Sequence, residues 1–437
     1  MSAIARYFHA IEKNVAGYDK TKTVLTDKLE NEGIKVHFDD NINNIESRFT
    51  NKENTLIVYT PAIPPTNKEL NYFIDNNLTV VKRAEVLGII TNKLESIAVA
   101  GTHGKTSIST ITAHLIHNSN IKCSAFLGGI SKNFNSNLVI SKQSKIAVVE
   151  ADEFDRSFLH LHPKIAVISS IDADHLDIYG NANELKRSFA KFASQIKKDG
   201  YLLIKEGLEI ELSESIKKYT YSVNSKANFN ANNIRYENSI QVFDLETPFG
   251  KIENLELGIP GIINIENSVV AIAASLLSGV SVDEIKNSLP NFKGVKRRFD
   301  YIINTSNLVY IDDYAHHPEE LRATISSVKK LYPEKKITGI FQPHLFSRTK
   351  DFYIEFAKSL DLLDEIILLD IYPAREKPMQ GIRSEIIYNE ISSKNKNLCT
   401  KENLIQLITE KNIEVLLTLG AGDIDTKVNE IKDLLEK

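Results

Sequence analysis

The chain carries one stretch that decides its fold class, Ala100-Gly101-Thr102-His103-Gly104-Lys105-Thr106-Ser107. This stretch follows the apolar run Ile97–Ala100, which predicts a buried strand, and precedes Ile108–Ile116, which has helical spacing. A Gly-rich turn between a strand and a helix, ending in Gly-Lys-Thr, is typical of a P-loop that binds nucleotide phosphates. Val99 stands where the general pattern has a further glycine, so a Gly-rich turn without a ligand is the alternative interpretation.

Each residue type in this stretch has a chemical reason to be there. Gly101 and Gly104 let the backbone curl so that successive N–H groups face phosphate oxygens, and the helix N-terminus adds partial positive charge. Lys105 is predicted to reach the terminal phosphates, and the hydroxyl of Thr106 to bind Mg²⁺. The residues predicted to bind ATP are Gly101, Thr102, His103, Gly104, Lys105, Thr106 and Ser107.

Acidic residues directly follow two further apolar runs. Glu150 comes at the end of the run Ile146–Val149, and His175 lies in an acidic segment after Ile165–Ile168. Open α/β sheets bind ligands at the carboxyl ends of their strands, and Mg²⁺ takes oxygen ligands while bridging to phosphates. The pattern predicts Thr106 and Glu150 at one metal site, with a helix cap or a solvated turn as the alternative for the acidic segments.

The rest of the chain has the pattern of an α/β protein. Short apolar runs alternate with segments of helical period, which favours mainly parallel sheets. A length of 437 residues suggests two to four domains. We divide the chain into three blocks, 1–92, 93–296 and 297–437, and short alternating runs between about 205 and 258 predict a small antiparallel patch.

Composition excludes several classes of protein. A formal net charge of -4 provides no global basic field for nucleic acid. No apolar run approaches the roughly 18 residues that span a bilayer, so we expect no membrane insertion and a cytoplasmic location. Two cysteines, Cys123 and Cys399, make no disulfide framework. The sequence leaves the oligomeric state open.

Five further segments, together with the P-loop, resemble the Mur ligases in order along nearly the whole chain. They are Glu150–Leu159, Asp172–Tyr179, Asp312–Pro318, Phe341–His344 with Arg348, and Gly420–Asp423. The resemblance implies a Rossmann-like UDP-sugar domain (1–92), a central P-loop ATPase domain (93–296) and a Rossmann-like C-terminal domain (297–437). It also implies that ATP phosphorylates the carboxylate of UDP-N-acetylmuramate and that the amine of L-alanine attacks the acyl phosphate.

The resemblance assigns roles around the nucleotide. It implies that Asn264 and Asn267 read adenine, although Ile263 replaces a histidine that relatives often have. Arg298 would contact phosphate and Asp313 the edge of the nucleotide. By the same resemblance His175 would hold a second Mg²⁺, so the implied catalytic residues are Lys105, Glu150 and His175.

The resemblance also implies an amino-acid site in the third domain. Tyr314 and His316 match its edge, and His344 and Arg348 match groups near the incoming amino acid. A guanidinium suits a carboxylate because it pairs with it bidentately. Leu345 replaces a second arginine of relatives. The alternative interpretation is that His316–Pro318 start a helix, His344 caps a strand end and Arg348 is a surface charge.

The UDP-sugar is expected near the start of the chain. Asp19 follows a predicted strand and fits a ribose or uracil contact, and Thr60 and Arg83 are predicted to line the cleft. Relatives open with a strand and a Gly-rich turn, whereas Met1–Arg6 matches the helix that follows them. We therefore expect about fifteen further residues upstream in the natural protein, a number that rests on the resemblance.

Two other functions stay open at this point. A ligase that attaches a whole murein tripeptide would share most of these residues and take a larger amine. A nucleotide-dependent binding protein without ligase activity would keep the P-loop but has no need of the segments around Asp312–Pro318 and His344–Arg348.

Overall fold

The structure is a computed structural model that divides the chain into two compact units. It describes residues 1–172, 176–212, 216–237, 240–374 and 376–436. Unit one comprises Met1–Leu257 with Glu266–Phe292, and unit two comprises Gly258–Ile265 with Lys293–Lys437. Among the described residues, no helix combines the length and apolar character needed to cross a membrane.

The first part of unit one contains two separate parallel sheets of two strands each. Strand β1 (Ala16–Tyr18) pairs with β2 (Lys35–His37), and β3 (Leu56–Tyr59) pairs with β4 (Thr79–Lys82). Four helices accompany them: α1 (Ser2–Ala10), α2 (Val24–Asn31), α3 (Lys68–Asp75) and α4 (Arg83–Asn92). Parallel strands connected through helices are the Rossmann-like pattern expected for this region.

A ten-stranded sheet forms the centre of unit one. Its strands are β5 (Glu95–Ala100), β6 (Ser124–Ser131), β7 (Ser136–Val139), β8 (Ile146–Glu150), β9 (Ile165–Ile168), β10 (Tyr201–Lys205), β11 (Lys217–Ser222), β12 (Phe229–Glu237), β13 (Ile240–Thr247) and β14 (Gly250–Leu257). Their spatial order is β14-β13-β12-β11-β10-β9-β5-β8-β6-β7, and β5 is parallel to both of its neighbours. The carboxyl ends of β8, β5 and β9 therefore lie side by side.

The central strands are buried on both faces because helices cover them. The helices of this region are α5 (Lys105–His117), α6 (Leu176–Tyr179), α7 (Ala182–Ser194), α8 (Ile262–Leu277) and α9 (Val282–Ser288). All four residues of β9 are buried, and so are the last five of β5. Continuous apolar runs of this kind are typical of parallel strands with helices on both sides.

One end of this sheet is antiparallel, as the short alternating runs predict. Strands β12, β13 and β14 pair antiparallel, whereas β10 and β11 still pair parallel. The antiparallel patch thus begins at Phe229, later than the boundary near residue 205 that the sequence suggests. The turn between β13 and β14 exposes Phe249.

Unit two is built on a six-stranded sheet. Its strands are β15 (Asp300–Asn304), β16 (Val309–Asp313), β17 (Ile337–Phe341), β18 (Glu365–Leu369), β19 (Lys396–Cys399) and β20 (Val415–Leu419). Its helices are α10 (Pro318–Leu331), α11 (Phe346–Leu360), α12 (Glu385–Glu390), α13 (Leu404–Thr409) and α14 (Val428–Leu435). The order is β15-β16-β20-β17-β18-β19, with β15 as the antiparallel edge.

Two hydrophobic cores lie on opposite faces of this sheet. Neighbouring residues of β16 alternate between them, since Ile311 packs in one core and Tyr310 in the other. Both residues are fully buried. Burying one large apolar side chain stabilises a fold by about 1.5–3 kcal/mol. The two cores therefore hold β16 in place, and site residues of this unit follow the carboxyl end of this strand.

Candidate active site

The predicted P-loop adopts the geometry that its sequence indicates. Strand β5 ends at Ala100, and α5 begins at Lys105 with Gly104 as its N-cap. Gly101 (φ +136°) and Gly104 (φ +82°) have positive φ, which side-chain-bearing residues rarely adopt. A Cβ at position 101 would lie 2.1 Å from the hydroxyl oxygen of Ser169, so this position needs glycine for space as well.

Two serines after β9 brace the loop, and the sequence reasoning missed them. The hydroxyl of Ser170 accepts hydrogen bonds from the backbone N–H of His103 at 2.7 Å and from the hydroxyl of Thr102 at 2.9 Å. The hydroxyl of Ser169 donates to the carbonyl of His103. The only signal in the sequence is that both serines directly follow a buried strand, which the fold places beside β5.

Lys105 is held by a buried carboxylate. Its ammonium lies 2.8 Å from the carboxylate of Glu153 and 2.7 Å from the carbonyl oxygen of Gly101. Burial opposes the charged form of Lys105, but the nearby carboxylates, Glu153 foremost, outweigh burial and raise its pKa. Burial raises the pKa of Glu153 to about 7, against the pull of Lys105. The lysine therefore keeps the positive charge that a phosphate site requires.

Glu150, the predicted metal ligand, points to the neighbouring strand. Its carboxylate accepts a hydrogen bond of 3.1 Å from the backbone N–H of Gly128 on β6. A Cβ at position 128 would lie 2.2 Å from that carboxylate, so only glycine leaves room for it. Val99 of β5 is in register with Glu150, which places the carboxylate at the same edge of the sheet as the P-loop. Thr106, the other predicted ligand, is buried at the start of α5.

The second predicted metal site falls on residues that are not described. His175 and its neighbours 173 and 174 lie outside the described residues. Asp172, just before them, lies 3.3 Å from the imidazole of His103. Across the described part of the chain, no group of three or more His, Cys, Asp or Glu side chains is arranged to hold a metal ion.

The two asparagines assigned to adenine lie on α8. Asn267 is buried, and its side-chain oxygen is 3.2 Å from where a Cβ of Gly104 would be, so it lies against the P-loop. Asn264 is buried as well, and its amide donates to the carbonyl of Pro260 at 2.6 Å. The structure thus brings Asn267 to the phosphate end of the site, and the contact with adenine stays a prediction for both.

In unit two, Asp313 shapes the turn that carries Tyr314. The carboxylate of Asp313 accepts backbone hydrogen bonds from Phe299 at 2.6 Å and Ala315 at 2.8 Å. Burial raises its pKa, although Arg298 and these two bonds oppose the shift. The guanidinium of Arg298 lies over the ring of Tyr314, 4.6 Å from its centroid.

Five side chains of unit two gather at the carboxyl ends of β16 and β17, and we call them the histidine cluster: Tyr314, His316, His344, Arg348 and Tyr372. The ring of His316 lies 5.3 Å from that of Tyr314 and 6.0 Å from that of His344. His344 stacks on Tyr372 at 5.9 Å, and Arg348 approaches His344 at 3.5 Å. Arg348 is only 8% exposed, so its interpretation as a surface charge is wrong. The sequence did not identify Tyr372.

The three residues predicted to bind the UDP-sugar are spread over the first part of unit one. Asp19 accepts a hydrogen bond from Thr21 in the turn after β1, and Thr60 one from Ala62 after β3. Arg83 starts α4, with its guanidinium 3.6 Å from the carboxylate of Asp152. The structure therefore brings Arg83 to the loop after β8, and Asp19 and Thr60 to local turns.

Comparison with known families finds matches to three consecutive parts of the chain. The Mur ligase family, catalytic domain matches residues 1–94, the Mur ligase middle domain residues 99–275 and the Mur ligase, glutamate ligase domain residues 297–422. The three matches follow the order of the three expected domains. The boundaries after residues 92 and 296 stay a prediction.

Relatives that match over the full length of the chain are UDP-N-acetylmuramate–L-alanine ligases. The chain is 51% identical to UDP-N-acetylmuramate–L-alanine ligase of Parabacteroides distasonis, covering 100% of this chain and 95% of the relative. It is 49% identical to the corresponding ligase of Phocaeicola vulgatus, covering 100% and 96%. The crystal structure of UDP-N-acetylmuramate–alanine ligase from Thermotoga maritima superimposes with a TM-score of 0.83 at 26% identity, covering 100% of this chain and 96% of that one. The resemblance inferred from the sequence is confirmed, and the chain belongs to the Mur ligase family.

Proposed function

We infer that the chain joins L-alanine to the carboxylate of UDP-N-acetylmuramate at the expense of ATP, through an acyl-phosphate intermediate. The observation that carries this inference is identity near 50% to alanine ligases over the full chain, with the P-loop formed. A carboxylate is a poor electrophile at neutral pH, and phosphorylation gives it a leaving group. Because ATP is supplied in the cytoplasm, we place the reaction there.

Positioning and charge neutralisation supply most of the catalysis in such a phosphoryl transfer. The N-terminus of α5 directs backbone N–H groups and partial positive charge to the phosphates. Lys105 adds a full charge at the terminal phosphates. Its charge is secured by Glu153, which lies 2.8 Å away.

The residues at the carboxyl ends of β5 and β8 fit Mg²⁺. Thr106 and Glu150 offer a hydroxyl and a carboxylate, which are hard oxygen ligands, and His175 would complete a second site. Gly128 leaves the space that the carboxylate of Glu150 occupies. When bound, Mg²⁺ would offset the negative charge that builds up on the transferring phosphoryl group.

The histidine cluster suits the incoming amino acid. Arg348 is a buried guanidinium, which pairs with a carboxylate through two parallel hydrogen bonds. His344 lies 3.5 Å from this guanidinium, and the rings of His316 and Tyr372 both pack against that of His344. A carboxylate held at Arg348 would leave the amine of L-alanine free to attack.

Phosphate release tests this function directly. The chain is incubated with ATP, Mg²⁺ and UDP-N-acetylmuramate, with L-alanine, with murein tripeptide or with no amine. We expect release that requires both the sugar nucleotide and L-alanine. Stimulation by the tripeptide alone would assign the recycling reaction instead, and ATP binding without stimulated release would assign a binding protein.

A further inference from the structure

Glu153 is a buried carboxylate to which the reaction described above gives no step. Its side chain is 1% exposed and lies 2.8 Å from the ammonium of Lys105. We propose that Glu153 is a positioning residue for Lys105, which aims the ammonium at the terminal phosphates of ATP. This proposal rests on the proposed function, because it requires that the P-loop bind ATP.

Two carboxylates at the end of β8 are used in different ways. Glu150 turns toward β6, where the N–H of Gly128 donates to it. Glu153 turns toward the P-loop, where Lys105 donates to it. Glu150 is thus left to ligand chemistry at the sheet edge, while Glu153 acts on the lysine.

The backbone around Glu153 is held in an unfavourable conformation. Asp155 (φ 53°) and Arg156 (φ 54°) both lie in the left-handed region, which residues with a Cβ rarely occupy. The hydroxyl of Tyr179 donates to the carbonyl of Glu153 at 2.6 Å, and Lys82 pairs with Asp155 at 2.9 Å. Strained backbone persists where the surrounding structure determines it, and the bond from Tyr179 holds the backbone of Glu153 itself.

The hydrogen bonds of the Lys105 ammonium indicate how Glu153 orients it. An ammonium has three N–H donors. The two shortest bonds of Lys105 go to Glu153 and to the carbonyl of Gly101, at 2.8 and 2.7 Å. The third approach, to the carbonyl of Thr102, is 3.4 Å long. A phosphate oxygen would replace that weak contact while the other two keep the ammonium in place.

The carboxylate of Glu153 carries a negative charge, which by itself would oppose the binding of ATP. The variant Glu153→Gln removes this charge and therefore tests the proposal. In Glu153→Gln the repulsion is gone but the lysine is no longer aimed. We expect the KM for ATP to stay the same or fall, while kcat for phosphate release falls about tenfold or more. Glu365→Gln is the control, since its largely buried carboxylate pairs with Lys336 and Lys411 in unit two. Both variants lose an ion pair, and only the first should lose kcat. A higher KM with unchanged kcat, or no change in either, would overturn the proposal.

ATP binding without turnover separates this proposal from the proposed function. Calorimetry measures the Kd for ATP with Mg²⁺ and no acceptor, for the native chain, Lys105→Met, Glu153→Gln and the double variant. If Glu153 acts through Lys105, adding Glu153→Gln to Lys105→Met should tighten ATP binding about tenfold, because it removes a buried negative charge that no longer faces the lysine. In the native background the same substitution should change ATP binding far less. Equal effects in both backgrounds would overturn the proposal even if the chain used a different acceptor.

Discussion

The P-loop of unit one and the histidine cluster of unit two are held together by different kinds of contact. Hydrogen bonds and an ion pair of 2.7–2.9 Å brace the P-loop from two neighbouring strands. The histidine cluster combines short contacts of His316, to the carbonyl oxygen of Tyr314 at 3.0 Å and to the carboxylate of Glu320 at 3.1 Å, with ring contacts of 5.3–6.0 Å between its members. Short directional bonds fix geometry, whereas ring contacts tolerate small shifts. We infer that the P-loop is preorganised, whereas the ring contacts within the histidine cluster leave its rings more room to shift.

Removing the P-loop ammonium should have the largest effect. In Lys105→Met no charge faces the terminal phosphates, and Glu153 is left buried without its lysine. We expect the rate of acceptor-dependent phosphate release to fall about 10²–10³-fold, as for other preorganised charge-stabilising groups. Lys251→Met, an exposed lysine of β14 in the same unit, serves as control. A residual rate within tenfold of the native one would mean that the backbone alone makes the phosphate site.

Asp312, at the end of β16 in unit two, is a buried carboxylate whose negative charge its neighbours offset only in part. Burial raises its pKa from 3.8 to about 6, because the hydroxyl of Thr418 and the more distant Arg297 offset only part of the desolvation. An acid with a raised folded pKa binds its proton more tightly in the folded state, so its stability contribution is lost as pH rises from 3.8 to about 6. The shift corresponds to up to about 3 kcal/mol.

Replacing the carboxylate of Asp312 by an amide tests whether its buried charge lowers stability at neutral pH. Asp312→Asn should raise the free energy of unfolding at pH 7 and change it little at pH 4, measured by denaturant titration at both values. Burial raises the pKa of Glu153 as well, to about 7, but Glu153→Gln leaves the buried Lys105 without its carboxylate, so we expect this variant to destabilise the chain at pH 7. If both variants respond alike, the contrast between the two strand ends is wrong.

Arg348→Lys should separate the proposed amino-acid site from the proposed phosphate site. The variant keeps the charge but loses the planar fork that holds a carboxylate by two hydrogen bonds. We expect the KM for L-alanine to rise about tenfold and the KM for ATP to stay unchanged. Arg322→Lys on α10, an exposed arginine paired with Glu319, is the matched control. An equal rise in the KM for ATP would show that Arg348 serves the nucleotide.

Local signals in the sequence predicted the strands and the P-loop. The apolar run Ile165–Ile168 has the bounds of β9, and the run Ile146–Val149 lies within β8 (Ile146–Glu150). Apolar runs of this length report burial directly, so their ends are sharp. Strand β5 instead begins at Glu95, two residues before the apolar run, because its pairing with β8 extends over the polar positions Glu95 and Ser96.

Some site residues were not predicted from the sequence because they reach the site through contacts between segments that are distant along the chain. Ser170 and Glu153 reach the P-loop because β9 and β8 flank β5, and no local pattern states that order. Tyr372 joins the histidine cluster through a bridge between His344 and Tyr372, far from any motif. Neighbour relations in a sheet depend on global packing, which periodicity does not encode.

The smallest expected effect tests the bracing itself. Ser170→Ala removes the hydroxyl that accepts from both Thr102 and His103, and one such hydrogen bond contributes about 1 kcal/mol. We expect the KM for ATP to rise about fivefold, while Ser275→Ala, which loses a buried hydroxyl bonded within α8, leaves it unchanged. A KM that falls instead would mean that this hydroxyl competes with phosphate for the N–H of His103. The P-loop would then be adjustable as well, and the contrast with the histidine cluster would reduce to the ion pair of Lys105 with Glu153.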